Sequence, residues 1–135
     1  MDQPKRKLVE SSKAAQPIGP YSLGVRFDRL VFTSGQVGID PATGELAEGG
    51  VEAETRQALN NLKDVLEAGG SSLAQVLKTT VFMADMAEFP RMNAVYGEFF
   101  PAEPPARSTV EVAALPKGAK VEIEAVAVRP AGQLD

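Results

Sequence analysis

The chain has 135 residues, of which 44% are apolar and 24% are charged, and its formal net charge is −4. This length predicts a single domain, spanning residues 1–135, that buries a core of its own. An acidic chain is poorly suited to bind a polyphosphate backbone, so nucleic acid is not the expected partner. Cysteine and histidine are both absent, which excludes disulfides, Ser-His-Asp and Cys-His catalysis and most zinc sites.

The start of the sequence does not have the pattern of a signal peptide. The basic start is not followed by an apolar run of signal-peptide length, and no stretch approaches the 18 or so apolar residues that span a bilayer. The sequence therefore predicts a cytoplasmic protein with no membrane contact. Residues 1–7 and 130–135 are expected to be flexible tails.

The elements in chain order alternate between strand and helix patterns. Two β-like runs at 25–27 and 30–36 precede a turn at 40–44, a helix at 51–68, a strand at 78–84, a helix at 86–100, and strands at 107–113 and 121–128. The first helix is predicted by an apolar stripe at helical spacing, and Gly69-Gly70 ends it. Asp85 is the candidate N-cap of the second helix.

The order β-β-α-β-α-β-β predicts an α+β fold, in which two helices cover one face of a sheet of about five strands. The open face is expected to carry charged and apolar side chains together: Arg107, Thr109, Glu111, Glu122, Glu124, Val126 and Val128. A half-apolar open face favours self-association.

Arg107 and Glu122 are the strongest candidates for chemistry. If the last two strands form an antiparallel hairpin with Glu111 opposite Lys120, Thr109 faces Glu122, and Arg107 lies diagonally from Glu122 on the same face. Arg107 is then able to grip a carboxylate with two parallel hydrogen bonds, and Glu122 to orient or deprotonate a water. The alternative is a structural ion pair on a sheet surface.

Three further places are candidates for ligand contact. Tyr21 lies in a loop made rigid by proline and glycine, and the loop alone favours the alternative in which its ring packs on the core and its hydroxyl faces water. Ser34-Gly35 ends a strand, where glycine permits close approach of a ligand to the backbone or simply forms a turn. Asn93 interrupts the apolar stripe of the second helix and serves either an interface or an exposed surface.

Taken together, several motifs resemble the RidA (YjgF) family of reactive-intermediate deaminases over about residues 9–129. They are Ile18-Gly19-Pro20-Tyr21-Ser22, Val31-Phe32-Thr33-Ser34-Gly35-Gln36, Asp40-Pro41-Ala42-Thr43-Gly44-Glu45, Thr55-Arg56-Gln57-Ala58-Leu59-Asn60-Asn61-Leu62, Lys78-Thr79-Thr80-Val81-Phe82, Asn93-Ala94-Val95-Tyr96, Pro105-Ala106-Arg107-Ser108-Thr109-Val110-Glu111-Val112 and Val121-Glu122-Ile123-Glu124-Ala125.

The resemblance implies a chorismate-mutase-like fold, a homotrimer with a pocket at each subunit interface, and hydrolysis of 2-imino acids to 2-oxo acids and ammonia without a cofactor or metal. By motif, Arg107 is similar to the carboxylate-binding arginine, Glu122 to the carboxylate that positions water, and the Thr109 backbone to a ligand contact. The remaining pocket positions are expected to come from the neighbouring subunit: Tyr21, Ser34, Gly35 and Asn93.

Two residues depart from the family pattern. Thr109 stands where many members have cysteine, which argues against thiol regulation and not against imine hydrolysis. Leu23 stands where glutamine is frequent, and is expected to change the pocket mouth and the substrate preference. Two other functions remain open: a non-catalytic protein that binds 2-oxo or imino acids, and a ribonuclease or translation inhibitor, which the acidic charge disfavours.

Overall fold

The computed structural model describes residues 3–131. Within them the chain forms β1 (Lys7–Val9), β2 (Gly24–Phe27), β3 (Leu30–Thr33), β4 (Gln36–Val37), β5 (Ile39–Asp40), β6 (Glu45–Leu46), α1 (Gly50–Ala68), β7 (Val76–Met83), α2 (Phe89–Phe99), β8 (Ala106–Glu111) and β9 (Val121–Val128). Short 3₁₀ turns lie at Leu73–Gln75, Met86–Glu88 and Pro116–Gly118. The predicted α+β order is confirmed for the long elements, while the two- and three-residue strands were not predicted.

The main sheet has the order β1-β2-β3-β9-β7-β8, with β4 also paired to β9, and β5 and β6 form a separate small hairpin. Neighbouring strands in the main sheet are antiparallel except for β7 and β8, which are parallel. Because α2 links β7 to β8, the chain crosses over the sheet and enters β8 in the direction of β7.

Both helices cover the same face of this sheet, as predicted. α1 contacts α2, β3, β4 and β9, and its stripe of Leu59, Leu62 and Leu66 is fully buried. Each such leucine stabilises the fold by roughly 1.5–3 kcal/mol. The strand side chains that complete the core alternate along the three central strands: Val31, Thr79, Val81, Met83, Val121, Ile123, Ala125 and Ala127.

The opposite face of the sheet is open and carries exposed large apolar side chains. Among them are Leu8, Phe27, Phe32 and Val110, each more than 40% exposed. This finding agrees with the predicted half-apolar face. Among the described residues, no helix is long and apolar enough to cross a membrane.

The predicted hairpin of the last two strands is wrong. β7 lies between β8 and β9, so Glu122 is opposite Phe82 of β7, and Phe82 is opposite Val110 of β8. The strand–helix–strand order from β7 through α2 gives a parallel crossover that places β8 on one side of β7. The connection at 112–120 then leads to the other side of β7, where β9 pairs with it.

The face assigned to β8 is therefore also wrong. Arg107, Thr109 and Glu111 pair with Thr79, Val81 and Met83, whose side chains are buried against the helices. Partners across a strand pair share a face. These three residues thus lie on the helix-covered side, and Ser108 and Val110 lie on the open side with Glu122 and Glu124.

The ends of the chain differ in part from the predicted tails. Lys7 belongs to β1 and pairs with Arg26 of β2. Residues 1, 2 and 132–135 lie outside the described residues. The helix predicted at 86–100 is a 3₁₀ turn followed by α2, and the Asp85 carboxylate caps that turn by accepting from Ala87 N at 2.9 Å.

Candidate active site

Arg107 lies on the edge strand β8 beneath one face of α2. Its Nη1 donates to Asn93 Oδ1 at 2.8 Å. The guanidinium carbon lies 4.7 Å from the centre of the Tyr96 ring and 5.4 Å from that of Phe89. Phe89, Asn93 and Tyr96 follow at spacings of four and three residues, which brings them to one face of a helix.

Tyr96 is buried, and its hydroxyl is hydrogen-bonded to Thr79 Oγ1 at 2.7 Å. Thr79 is the β7 residue directly opposite Arg107. Burial raises the pKa of the Tyr96 phenol, against a smaller lowering by the hydrogen bond to Thr79 and the charge of Arg107. The phenol therefore stays neutral at physiological pH.

The backbone beside Arg107 lies at the edge of the sheet. Val112 N donates inward to Met83 O of β7 at 2.9 Å. Backbone N–H groups of successive residues in a strand point to alternate neighbours, so the N–H groups of Val110 and Ser108 also point toward β7. The N–H groups of Thr109 and Arg107 then point outward, where a ligand is able to accept from them.

Glu122 forms a second group on the open face with Gly35. The side chain of Glu122 packs so closely on Gly35 that a β-carbon there would lie 2.6 Å from Glu122 Oε2. Burial raises the pKa of the Glu122 carboxyl, and the like charge of Glu124 raises it further. A carboxyl group with a raised pKa is suited to exchange protons with a reacting water.

Ser34 and Tyr21 lie near Gly35. The Ser34 hydroxyl donates to Ser22 O, and Ser34 N donates to Leu23 O at 2.8 Å. Tyr21 closes a tight turn through its N–H to Gly19 O at 2.9 Å, and the residue is 52% exposed. Tyr21 and Ser34 line a shallow depression of about 510 Å³, so the Tyr21 ring is available to a ligand.

Leu23, expected to shape the pocket mouth, is buried in the core and 3% exposed. It also contributes to the wall of a neighbouring depression of about 590 Å³ that Tyr21 shares. Its side chain packs mainly with other core residues, and its effect on substrate preference stays a prediction.

One subunit does not bring Arg107 and Glu122 together. They lie on opposite faces of the sheet, with β7 between their strands. Strand spacing and rise place their Cα atoms roughly 14 Å apart. Asn93, expected from the neighbouring subunit, lies instead beside Arg107 of its own chain.

The sequence interpretation missed the roles of Phe89, Tyr96 and Thr79 around Arg107. Phe89 and Tyr96 belong to the apolar stripe of the second helix, and such a stripe is typical of core residues. The available signal was Asn93, a polar residue between the two aromatic residues on one helix face. That pattern is typical of a helix face that contacts a charged partner.

Comparison with known proteins identifies the family. Residues 11–129 match the family described as Endoribonuclease L-PSP. The chain belongs to this family, which is also called YjgF/RidA. The predicted resemblance is thereby confirmed.

The similarity to individual members of the YjgF/RidA family covers most of the chain. A 2-iminobutanoate/2-iminopropanoate deaminase of Mus musculus is 49% identical over 124 residues, which are 92% of each chain. The crystal structure of the E. coli YjgF gene product matches with a TM-score of 0.88 at 46% identity, over 92% of this chain and 99% of that one. E. coli TdcF with bound serine matches with a TM-score of 0.87 at 44% identity, over 92% and 99%.

Proposed function

We propose that this protein is a 2-iminobutanoate/2-iminopropanoate deaminase that works as a homotrimer, with an active site at each subunit interface. Deamination of reactive imino acids is supported by relatives of that name at 46–49% identity over 92% of the chain. The observation that carries the two-subunit site is the separation of Arg107 and Glu122 onto opposite faces of one sheet.

Two surfaces of the subunit support this assembly. The open face carries large exposed apolar side chains, which soluble proteins usually cover by association. β8 forms one edge of the sheet and carries the Arg107 group. When the β8 edge of one subunit lies against the open face of the next, Arg107 of the first subunit meets a cluster of residues of the second. That cluster consists of Glu122, Gly35, Ser34 and Tyr21.

In the proposed reaction Arg107 grips the substrate carboxylate with the N–H groups that Asn93 leaves free, and the Thr109 N–H adds a further donor. Glu122 of the neighbouring subunit aims a water at C2 and accepts its proton. The new C–O bond forms as the electron pair of the C=N bond moves to nitrogen. Glu122 then gives this proton to the amine of the tetrahedral intermediate. As the C–N bond breaks and its electron pair leaves with ammonia, the C=O bond forms and Glu122 takes the hydroxyl proton, so that ammonia and a 2-oxo acid leave.

A positioned water is sufficient because a protonated imine is already a strong electrophile. The main contribution of the site is to hold the reacting atoms in place, with acid–base help from Glu122. The reaction uses neither a thiol nor an imidazole, which agrees with a chain that has no cysteine and no histidine.

Two other functions would use the same protein differently. A non-catalytic binder of 2-oxo acids would use the Arg107 group without turnover. A ribonuclease would fit the description of the family, but the net charge of −4 opposes binding of a polyanion. The location in the cytoplasm stays a prediction from the sequence.

A coupled assay tests the deaminase. Threonine dehydratase generates 2-iminobutanoate from threonine, and the release of 2-oxobutanoate is followed with and without this protein. Acceleration is expected. Binding of 2-oxobutanoate without acceleration would favour the non-catalytic binder.

Mixing two inactive variants tests the two-subunit site. Arg107→Lys and Glu122→Gln trimers are unfolded and refolded together. If each site takes Arg107 from one subunit and Glu122 from the next, random trimers regain about a quarter of the wild-type activity, because one interface in four joins the two intact residues. A site contained within one subunit would regain none.

A further inference from the structure

We propose that Tyr96 is a positioning residue that holds the Arg107 guanidinium in the plane needed for two-pronged carboxylate binding, with Thr79 anchoring the Tyr96 ring. This inference rests on the proposed deaminase function and extends it beyond the residues that touch the substrate. Tyr96 acts through Arg107 and is not itself a catalytic residue.

Arg107 makes two kinds of contact, one with aromatic rings and one with an amide oxygen. The Tyr96 ring at 4.7 Å and the Phe89 ring at 5.4 Å lie within the range of cation–π attraction. Asn93 Oδ1 accepts from Nη1 at 2.8 Å. The two rings and the hydrogen bond to Asn93 together restrict the orientation of the guanidinium. The remaining N–H groups keep a defined direction for a carboxylate.

Tyr96 is better held than Phe89, which is only partly buried. Its hydroxyl bonds to Thr79 at 2.7 Å, and the Phe100 ring packs on it with 4.7 Å between ring centres. Thr79 is fully buried and lies opposite Arg107 in the β7–β8 register. Thr79, which holds the Tyr96 ring, and Arg107 therefore belong to adjacent strands of one sheet.

The buried phenol is neutral, because burial raises its pKa. A neutral ring stabilises the guanidinium through its π face without a full negative charge. A phenolate at this place would compete with the substrate carboxylate for Arg107. The structure thus combines a fixed direction with an arginine whose charge remains available to a ligand.

The test compares Tyr96→Phe with Thr79→Val, since each removes the same hydrogen bond and keeps the ring. Each is expected to weaken 2-oxobutanoate binding in calorimetry by about two- to tenfold, the equivalent of one net hydrogen bond, and to raise KM more than it lowers kcat. The Tyr96→Phe/Thr79→Val double variant is expected to be no worse than either single variant.

Phe89→Leu and Phe99→Leu form a matched pair, because both are partly buried aromatic residues of α2 packed on the core and only Phe89 contacts Arg107. Phe89→Leu is expected to weaken 2-oxobutanoate binding and Phe99→Leu to leave it unchanged. Equal weakening by both variants, at equal melting temperatures, would show that the Phe89 ring has no specific part in orienting Arg107.

A double-mutant cycle separates positioning from stability. In an Arg107→Lys background the cation has no plane to orient, so Tyr96→Phe is expected to change the affinity for 2-oxobutanoate, measured by calorimetry, by less than twofold. The same loss in both backgrounds would show that Tyr96 acts independently of Arg107 and would refute the proposal. A wild-type protein that binds 2-oxobutanoate but does not accelerate its release refutes the deaminase function, whereas an active wild type with an unaffected Tyr96→Phe refutes only this inference.

Discussion

Gly35 lies directly against the side chain of Glu122. A β-carbon on Gly35 would lie 2.6 Å from Glu122 Oε2, 2.7 Å from its carboxyl carbon and 2.9 Å from its Cγ. The described positive-φ glycines do not include Gly35, so close contact, and not backbone conformation, explains the glycine. The proposed water-activating carboxylate of Glu122 can occupy this position only because residue 35 has no side chain.

Gly35→Ala is expected to displace the Glu122 carboxylate and lower deaminase activity by about 10²-fold, since a shift of 1 Å in a reacting group has an effect of that size. Gly97→Ala is the control, because a β-carbon there meets nothing within 4 Å in α2. The control is expected to keep full activity and gain up to about 1 kcal/mol in stability. A fully active Gly35→Ala would contradict the role of this contact.

Arg107→Lys is expected to weaken 2-oxobutanoate binding by about 10- to 100-fold, since lysine keeps the charge and loses the planar fork. Calorimetry measures the binding and circular dichroism checks the fold. Arg56→Lys is the control, because Arg56 makes an exposed two-pronged pair with Glu98 at 3.0 and 3.2 Å away from the site. Normal binding by Arg107→Lys would remove Arg107 from carboxylate recognition.

Glu122→Gln is expected to lower 2-oxobutanoate release by roughly 10²–10⁴-fold, because glutamine can hydrogen-bond a water but cannot accept its proton. Binding of 2-oxobutanoate is expected to stay equal or become tighter, since a negative charge near the ligand is removed. Glu124→Gln, two residues away on the same face, is the control. Weak binding with normal turnover at saturation would assign Glu122 to binding instead of catalysis.

The pH dependence follows from the raised pKa of Glu122. Activity needs the carboxylate, so kcat/KM is expected to fall as the pH is lowered through this raised pKa. Because Glu124 contributes to the shift, Glu124→Gln is expected to move the fall to lower pH. An unmoved profile would show that another group limits the reaction.

The raised pKa of Glu122 also makes the free energy of unfolding depend on pH. The folded state binds the Glu122 proton more tightly than the unfolded state, so stability decreases as the pH rises from the ordinary pKa to the raised one. Glu122→Gln is therefore expected to raise the melting temperature near pH 7, and the gain is expected to vanish at about pH 4 and below. Thermal unfolding at several pH values measures this difference.

Phe32→Glu is expected to prevent assembly and abolish activity while the subunit folds, because Phe32 lies exposed on the open face of one subunit and a buried charge opposes association. Light scattering is expected to give three times the subunit mass for the wild type and the mass of a single subunit for the variant. Lys63→Glu on the outer surface of α1 serves as the charge-changing control. A fully active monomer would contradict the two-subunit site.

Local patterns in the sequence predicted most of the long elements. The apolar stripe of α1 and the alternation of β9 record which side of each element is buried, and burial follows a period that neighbouring residues define. The half-apolar open face was predicted in the same way. Strands of two or three residues, such as β4 and β5, hold too few residues to show a period.

Arg107 and Glu122 could be selected as the candidates for chemistry from the amino-acid sequence, since a chain without cysteine or histidine leaves few groups for catalysis. Their placement on opposite faces of the sheet is visible only in the folded chain, because strand order depends on the crossover through α2 and not on the residues of β8 and β9 alone. Likewise, Thr79 and Tyr96 meet only because β7 and α2 pack together. Long-range packing therefore places Arg107 and Glu122 apart within one subunit and brings Thr79 and Tyr96 into contact.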